Sequence, residues 1–412
     1  MLPYYMLRLI KDYLKRFVYM ENASSLPTYD YIIVGAGAAG LSLAYQLVHS
    51  PLSEKKILII DREAKNKNDR TWCFWENHPG LYDHIIFRTW SNLAFHSDQF
   101  HKVFHLFPYQ YKMIRGIDFY NEVFKVLNHR PNITKVIEDV LSIEDHPDYA
   151  EVHTTNQSFK GGYVFDSRNV QQRIPVLSNQ HHYLMQHFLG WEIKTKLPTF
   201  TPNTATLFDF RTDQYNSMRF FYILPYSQNQ ALVEYTLFSS ELLTQTEYEH
   251  AIQNYISEII NIREADYTIE GVEKGIIPMT DFPFSRRLGS RVMAIGTKGG
   301  LVKPSTGYAF LRIQKDTAAI INSLILFGHP FNVPNPEWRY RMYDSTMLQQ
   351  MYRRGGKMKS YFTSMFQLNP IHRVFRFLDE TASFPDNLAL MATLPVLDFF
   401  LASIKTQILR KI

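Results

Sequence analysis

A glycine turn set between a β-branched run and a helix constrains this chain more than any other feature. Asp30-Tyr-Ile-Ile-Val34 is a short apolar run of the kind that fills a central parallel strand. Gly35-Ala-Gly37-Ala-Ala-Gly40 follows, then a helical stretch from Leu41 to Val48, then a second strand, Lys56-Ile-Leu-Ile-Ile60, which ends in Asp61. Each element has a physical task in holding a dinucleotide. Gly35 makes the tight turn, Gly37 lets backbone approach a pyrophosphate, Gly40 lets helix and strand pack closely, and an acid roughly 20 residues further on accepts from a ribose hydroxyl. The helix start offers unpaired amides to the phosphates. An acid at position 61 disfavours a 2′-phosphate, so the nucleotide expected here is FAD or NAD and not NADP.

A second glycine cluster, far along the chain, tips that choice to FAD. Tyr163-Val-Phe-Asp166-Ser-Arg168 reads as a strand returning beside the first βαβ unit. Arg291-Val-Met-Ala-Ile295 reads as another buried strand and ends in Gly296-Thr297-Lys-Gly299-Gly300. Pro304-Ser-Thr306-Gly307-Tyr308 and a helical run from Ala309 to Leu326 follow, again aiming amides at an anionic group. Gly296, Gly299, Gly300, Thr306 and Gly307 therefore join Gly35, Gly37, Gly40 and Asp61 as candidate cofactor-binding residues.

The rest of the chain must supply other units, because 412 residues exceed one domain of about 100–200. We expect an α/β fold, FAD-binding and Rossmann-like (glutathione-reductase type), with an inserted antiparallel-sheet substrate domain and a helical C-terminal region. The flavin domain is expected over residues 28–80, 110–170 and 265–330, the substrate domain over 81–109 and 171–264, and the helical region over 331–412. Aromatic residues make up 15% of the chain, an excess that suits large apolar cavities. A net charge of +5, dispersed along the chain, argues against a nucleic-acid partner. Cysteine and histidine spacing offers no metal site, and the lone Cys73 excludes an internal disulfide.

The two ends read as surface-seeking. Leu2, Met6, Leu9, Ile10, Tyr13, Leu14, Phe17 and Val18 form one helical stripe with Arg8, Lys11, Lys15 and Arg16 opposite, a basic amphipathic segment within residues 1–27. The alternative is an over-long start with Met20 as initiator. Leu388 to Ile412 is apolar and ends in basic residues, but Pro395 and Asp398 interrupt it. Neither end is long and apolar enough to span a bilayer.

Beyond the first fingerprint the chain carries a more specific set of segments: Asn68-Asp69-Arg70-Thr71-Trp72-Cys73-Phe74-Trp75-Glu76; Phe208-Asp209-Phe210-Arg211; Leu224-Pro225-Tyr226-Ser227 with Leu232-Val233-Glu234-Tyr235-Thr236; Gly275-Ile-Ile-Pro278-Met279-Thr280; and Gly299-Gly300-Leu-Val-Lys-Pro304-Ser-Thr306-Gly307-Tyr308. In this combination, from Tyr29 to about Ile371, the chain resembles the lycopene beta-cyclase family. The resemblance implies an intramolecular lyase (isomerase) that closes the linear psi ends of lycopene and related acyclic carotenoids into beta rings, giving gamma- and beta-carotene. It implies FAD in its reduced form, with NAD(P)H as the reductant and no net electron transfer to substrate. A water-insoluble substrate, with the basic ends, implies a peripheral, monotopic protein on the cytoplasmic side of a membrane. Ordinary flavin oxidoreductases carry Gly-Asp where this chain has Gly296-Thr297, which takes away a carboxylate usually offered to the ribityl chain.

Such a ring closure needs a proton delivered to an alkene, a carbocation held, and a proton removed. Glu234 is the best acid. Arg219–Tyr226 and Ala231–Ser239 read as a hairpin, and strand alternation puts Glu234 on a face with Leu232, Thr236 and Phe238. A carboxyl on an apolar face is pushed toward its neutral form. The bland alternative is an outer-face residue paired with Arg219. Asp209 and Arg211 are the second candidate pair, either a network behind the acid or a surface ion pair. Trp72, Phe74 and Trp75 are read as lining or core, Arg70 as a phosphate contact and Glu76 as a second carboxyl. The rival functions are a flavin monooxygenase or prenyl-chain reductase, and a non-catalytic carotenoid carrier that keeps FAD as a structural ligand.

Overall fold

The computed structural model describes residue 26 and residues 28–168, 181–395, 398–399 and 401–404. The amphipathic stripe at residues 2–18, Met20 and the final basic residues lie outside the described residues. Strand β1 (Thr28–Val34) is buried from Tyr31 onward, as a strand covered on both faces must be. It pairs in parallel with β2 (Ile57–Asp61) on one side and with β11 (Ser158–Asp166) on the other. Beyond β2 lies β8 (Ile133–Ile137), and the end of β11 also pairs in parallel with the late strand β17 (Val292–Ala294). The antiparallel strands β9 (Val140–Asp145) and β10 (Ala150–Thr154) complete this seven-stranded sheet.

Helices α1 (Ala38–Val48), α2 (Gly116–Leu127) and α4 (Phe310–Phe327) pack one face, through a core that includes Ile33, Leu41, Phe119 and Phe310. Ala150, Val152 and Phe159 pack against Ile32, Val34, Leu58 and Ile60 on the other. The late strand thus returns beside the first βαβ unit, which brings the two glycine clusters to one end of the sheet.

A second seven-stranded sheet runs in the order β16 (Tyr267–Thr280), β12 (Tyr183–Thr195), β15 (Gln230–Ser239), β14 (Met218–Pro225), β13 (Thr204–Asp209), β5 (Asn92–His96), β6 (His101–His105). Here the sequence reading needs a correction. Residues 267–280 were expected in the flavin domain, yet β16 pairs with β12 along its whole length and forms the edge of the second sheet. The nucleotide unit resumes only at Val292, where three consecutive buried apolar residues suit a central parallel strand.

One face of the second sheet is covered by α3 (Gln245–Tyr255), whose Tyr248, Ile252 and Tyr255 pack on Phe221, Val233, Tyr235 and Leu237. The start of α3 is fixed by a capping box between Thr244 and Glu247, two orphan donors satisfied reciprocally. The opposite face meets a three-stranded sheet, β3 (Thr71–Glu76), β7 (Gln110–Arg115) and β4 (Arg88–Trp90). The C-terminal helices α5 (Trp338–Arg354), α6 (Met358–Leu368), α7 (Ile371–Leu378) and α8 (Phe384–Met391) close the same core. Among the described residues no helix is long and apolar enough to cross a membrane.

The tightest backbone approach in the nucleotide half is at Gly40, where a Cβ would fall 1.9 Å from the Gly35 carbonyl oxygen and 2.9 Å from Ile33 Cγ2. Backbone cannot yield as a flexible side chain does. Gly40→Ala is therefore expected to cost about 1–3 kcal/mol of stability, read as a lowered thermal midpoint together with loss of bound flavin; an unchanged midpoint and flavin content would contradict this packing.

Candidate active site

At the nucleotide end, Gly35 has φ +100°, a conformation that side chains resist, and the Ser167 hydroxyl fills the place of its missing Cβ. Gly37 precedes α1 with nothing within 4 Å of the position of a Cβ. The first turn of α1 has no side-chain cap and no acid, so its amides face open space, as an anion site requires. Asp61 braces this turn: one carboxylate oxygen accepts from the Ala36 amide at 2.6 Å and the other from Glu63 at 2.8 Å. Gly296, at φ +60°, lies against the same helix start, since a Cβ there would approach Ala39 Cβ to 2.9 Å. Gly299 and Gly300 close that turn, with a Gly300 amide bond to the Thr297 carbonyl. These residues fit a dinucleotide.

The remaining candidates fall elsewhere. Gly307 (φ +76°) lies over β12, where a Cβ would meet Gln186 Oε1, and Thr306 shares its loop, closed by amide bonds to the Lys303 carbonyl. That loop is pinned to the C-terminal helices through the buried Lys303 ammonium, 3.0 Å from Asp344 and 2.7 Å from Glu380. Thr306 and Gly307 therefore belong to the junction of the two sheets, just ahead of α4, and not to the start of α1. Arg70 is exposed, its guanidinium bonded to the Asp69 carbonyl and its charge felt by Glu273.

A cavity of about 430 Å³ joins the halves, running from Thr297, Gly299 and Gly300 to Cys73, Trp75 and Tyr308. Alternation along β3 sorts the aromatic run. Trp72 and Phe74 stack on Phe310 in the nucleotide core, whereas Trp75 points the other way, stacks on Phe375 at 4.7 Å and donates its indole N–H to Asp379. Glu76 does not act as a second carboxyl here, because it shares the Trp72 side of β3 and is ion-paired with Lys112 at 3.2 Å.

Glu234 lies on the interior face of the second sheet, 9% exposed, directly opposite Tyr222. Its polar partner is the Thr236 hydroxyl, which donates at 2.7 Å. Burial, then the charge of Glu273, push its carboxyl up to about 8. Arg219 is not its partner: it pairs with Leu237 in register, on the other face, and bonds to Ser217 and Tyr235. Cys73, Phe188, Tyr222 and Tyr308 are half-buried although they sit between sheets, so they border open space beside the acid. The hydroxyls of Tyr111, Tyr222 and Tyr308 cluster there, each held in its neutral form chiefly by burial.

The structure does not bring Asp209 and Arg211 to this site. Phe208 and Phe210 turn into the same core as Phe220, which leaves Asp209 on the α3 side, bonded to Arg211 at 2.6 Å and to the Tyr255 hydroxyl at 2.6 Å. The pair closes the opposite face of the sheet. Sequence reasoning missed Glu273, which shares the interior face, accepts from the Thr71 hydroxyl at 2.6 Å and has its carboxyl pushed up mainly by burial. It also missed Glu192, which accepts from Tyr226. Among the described residues no His, Cys, Asp and Glu group is arranged to hold a metal.

A family model described as lycopene cyclase protein matches residues 30–403. Lycopene beta cyclase, chloroplastic, of Arabidopsis thaliana is 23% identical over a 342-residue alignment that covers 76% of this chain, and the chain spans 63% of that protein's length. Among solved structures, a flavoprotein/dehydrogenase from Cytophaga hutchinsonii superposes with TM-score 0.60 at 13% identity, covering 92% of this chain and 99% of the other. A geranylgeranyl bacteriochlorophyll reductase-like protein from Thermoplasma acidophilum gives 0.57 at 11%, covering 91% and 98%. The p-nitrophenol 4-monooxygenase of Pseudomonas putida gives 0.56 at 14%, covering 93% and 99%. These likenesses show the FAD-binding Rossmann-like fold with its helical C-terminal region.

The buried acid has a thermodynamic signature. Glu234 ionises near 4.5 in the unfolded chain and about 8 when folded. Between those values the folded state holds the extra proton, so stability falls as pH rises, by up to about 1.4 kcal/mol per pH unit. Glu234→Gln is expected to flatten that decline and to be more stable than the parent at the upper end of the window. Urea midpoints measured across it check this, and an unaltered slope would show that the carboxyl is already ionised.

Proposed function

Because the chain belongs to the lycopene cyclase family, we propose that it closes the psi ends of lycopene into beta rings, giving gamma-carotene and then beta-carotene, with no net redox change. The observation that carries this reading is a carboxyl buried between two sheets, directly opposite Tyr222 and with a threonine hydroxyl as its polar partner, so that burial pushes it up to about 8. A hydrocarbon offers no hydrogen-bonding handle, so a catalyst must supply a proton where water cannot compete for it. Glu234 does so: its proton goes to the less substituted carbon of the terminal double bond, leaving the cation on the more substituted one, and its carboxylate is left hydrogen-bonded to Thr236.

The rings of Tyr222, Phe188 and Tyr308, which border the space beside Glu234, then surround the positive charge with π density. Neutral phenols and a phenyl ring stabilise a cation without offering a strong nucleophile. The tyrosine hydroxyls are held neutral by burial, so they do not quench it as phenolates. Gly35, Gly37, Gly40, Asp61 and the Gly296–Gly300 turn would hold FAD. When bound in its reduced form, with NAD(P)H as reductant, that group would supply an electron-rich ring able to stabilise positive charge. Acyclic carotenoids related to lycopene fit the same chemistry.

We place the protein at a membrane surface as a peripheral, monotopic enzyme on the cytoplasmic side. Supporting this are Trp338, 74% exposed, and the exposed Phe384, Leu388, Leu401 and Ile404 in the C-terminal region, apolar side chains of the kind that a bilayer surface takes up.

In lycopene-accumulating cells the parent chain is expected to yield cyclic pigments of unchanged mass, and Glu234→Gln to lower the yield by at least ~100-fold with flavin retained. Products gaining oxygen or hydrogen would point to a monooxygenase or reductase instead, and unchanged lycopene to a carrier. The purified protein is expected to float with liposomes, and recovery wholly in the lipid-free fraction would contradict the surface placement.

A further inference from the structure

Ring closure takes up one proton and must release another, so the site needs an acceptor as well as a donor. Resting on the cyclase reading, we propose that Glu273 is the base that removes the ring proton, and that it works with Glu234 across Gly190. Gly190 in β12 is the register partner of Glu234 in β15 on one side and of Glu273 in β16 on the other. Register partners in neighbouring strands share a face, so the three residues form one row on the interior face of the sheet. The middle position has no side chain. A Cβ at 190 would lie 2.8 Å from Leu232 Cδ1, 3.2 Å from Glu234 Cβ and 3.3 Å from its Cγ, so the acid's stem and Leu232 share the space above the glycine.

The two carboxyls have unlike surroundings, and this assigns their roles. Glu234 has the Thr236 hydroxyl and a mainly apolar wall. Glu273 is half-buried, accepts from the Thr71 hydroxyl at 2.6 Å, and feels the positive charge of Arg70. The other charged or titratable groups facing the pair are Glu192 in β12, whose charge opposes ionisation of Glu273, Tyr222 opposite Glu234, Tyr226, and Cys73 in β3. Burial pushes both carboxyls up, but only Glu273 has a cation acting on it, so of the two Glu273 is the one placed to take up the ring proton and Glu234 the one placed to supply a proton.

The step balances. A C–H bond forms with the proton of Glu234, a ring C–C bond forms from the second alkene, and a C–H bond breaks to give its proton to Glu273. No electrons are gained or lost, and the product is an isomer. Transfer of the proton from Glu273 back to Glu234 resets the site for the second end.

The test uses the flavin-loaded full chain with lycopene in liposomes, scoring cyclic product across a pH series. Glu273→Gln is expected to lose at least ~100-fold in turnover with flavin retained, and Glu273→Asp to restore part of it. Thr71→Val removes a donor to the carboxylate, so the acid limb of its pH–rate profile is expected to move to higher pH, which a merely structural role would not cause. Parental turnover in Glu273→Gln, or an unmoved acid limb in Thr71→Val, would overturn the assignment while Glu234→Gln stays inactive and the cyclase reading stands. A parent chain that leaves lycopene unchanged would overturn both.

Discussion

Everything at the functional end of this molecule depends on placing the Glu234 carboxyl where water is scarce and no cation neutralises it. Glu234 meets only a threonine hydroxyl, an aromatic wall and another carboxylate. Other buried charges have ionic partners: Lys303 lies between Asp344 and Glu380, and Asp209 is held by Arg211 and Tyr255. Leaving one acid without a counter-ion costs folding free energy, and the large aromatic core around it offsets that cost. A site held against the stability of its own fold is where function is to be sought.

The two sheets divide the work. The parallel sheet ends in glycine turns that converge on the start of α1, through the contact between Gly296 and Ala39. The second sheet presents its interior face to β3 and to the loop over residues 303–308. The cavity between them is lined by the Gly299–Gly300 turn on one side and by Pro278 and Thr280 of β16 on the other, so it touches both. The helical C-terminal region anchors this junction through Lys303 and through the stacking of Trp75 on Phe375.

Local patterns made much of this legible. The βαβ unit follows from glycine spacing, and the hairpin holding Glu234 from alternation around a short polar turn. Alternation also separates Asp209 from the acid, because Phe208 and Phe210 flank it and turn the other way, but a shared aromatic neighbourhood in the sequence hid that. Glu273 was not legible. Its strand, with Glu270, Glu273 and Lys274 among small residues, lacks the apolar run of a buried strand, and its position opposite Gly190 depends on a pairing between residues some eighty apart. The same pairing moved residues 267–280 out of the flavin domain. Register across a sheet is a long-range property that local propensity does not encode.

The central claim is that Glu234 carries a proton at neutral pH. The most direct measurement is the infrared difference spectrum between the parent chain and Glu234→Gln in neutral buffer, in the carboxyl stretching region. The account predicts the loss of a protonated carboxylic acid band, shifted by deuterium exchange. Loss of an ionised carboxylate band instead would contradict it.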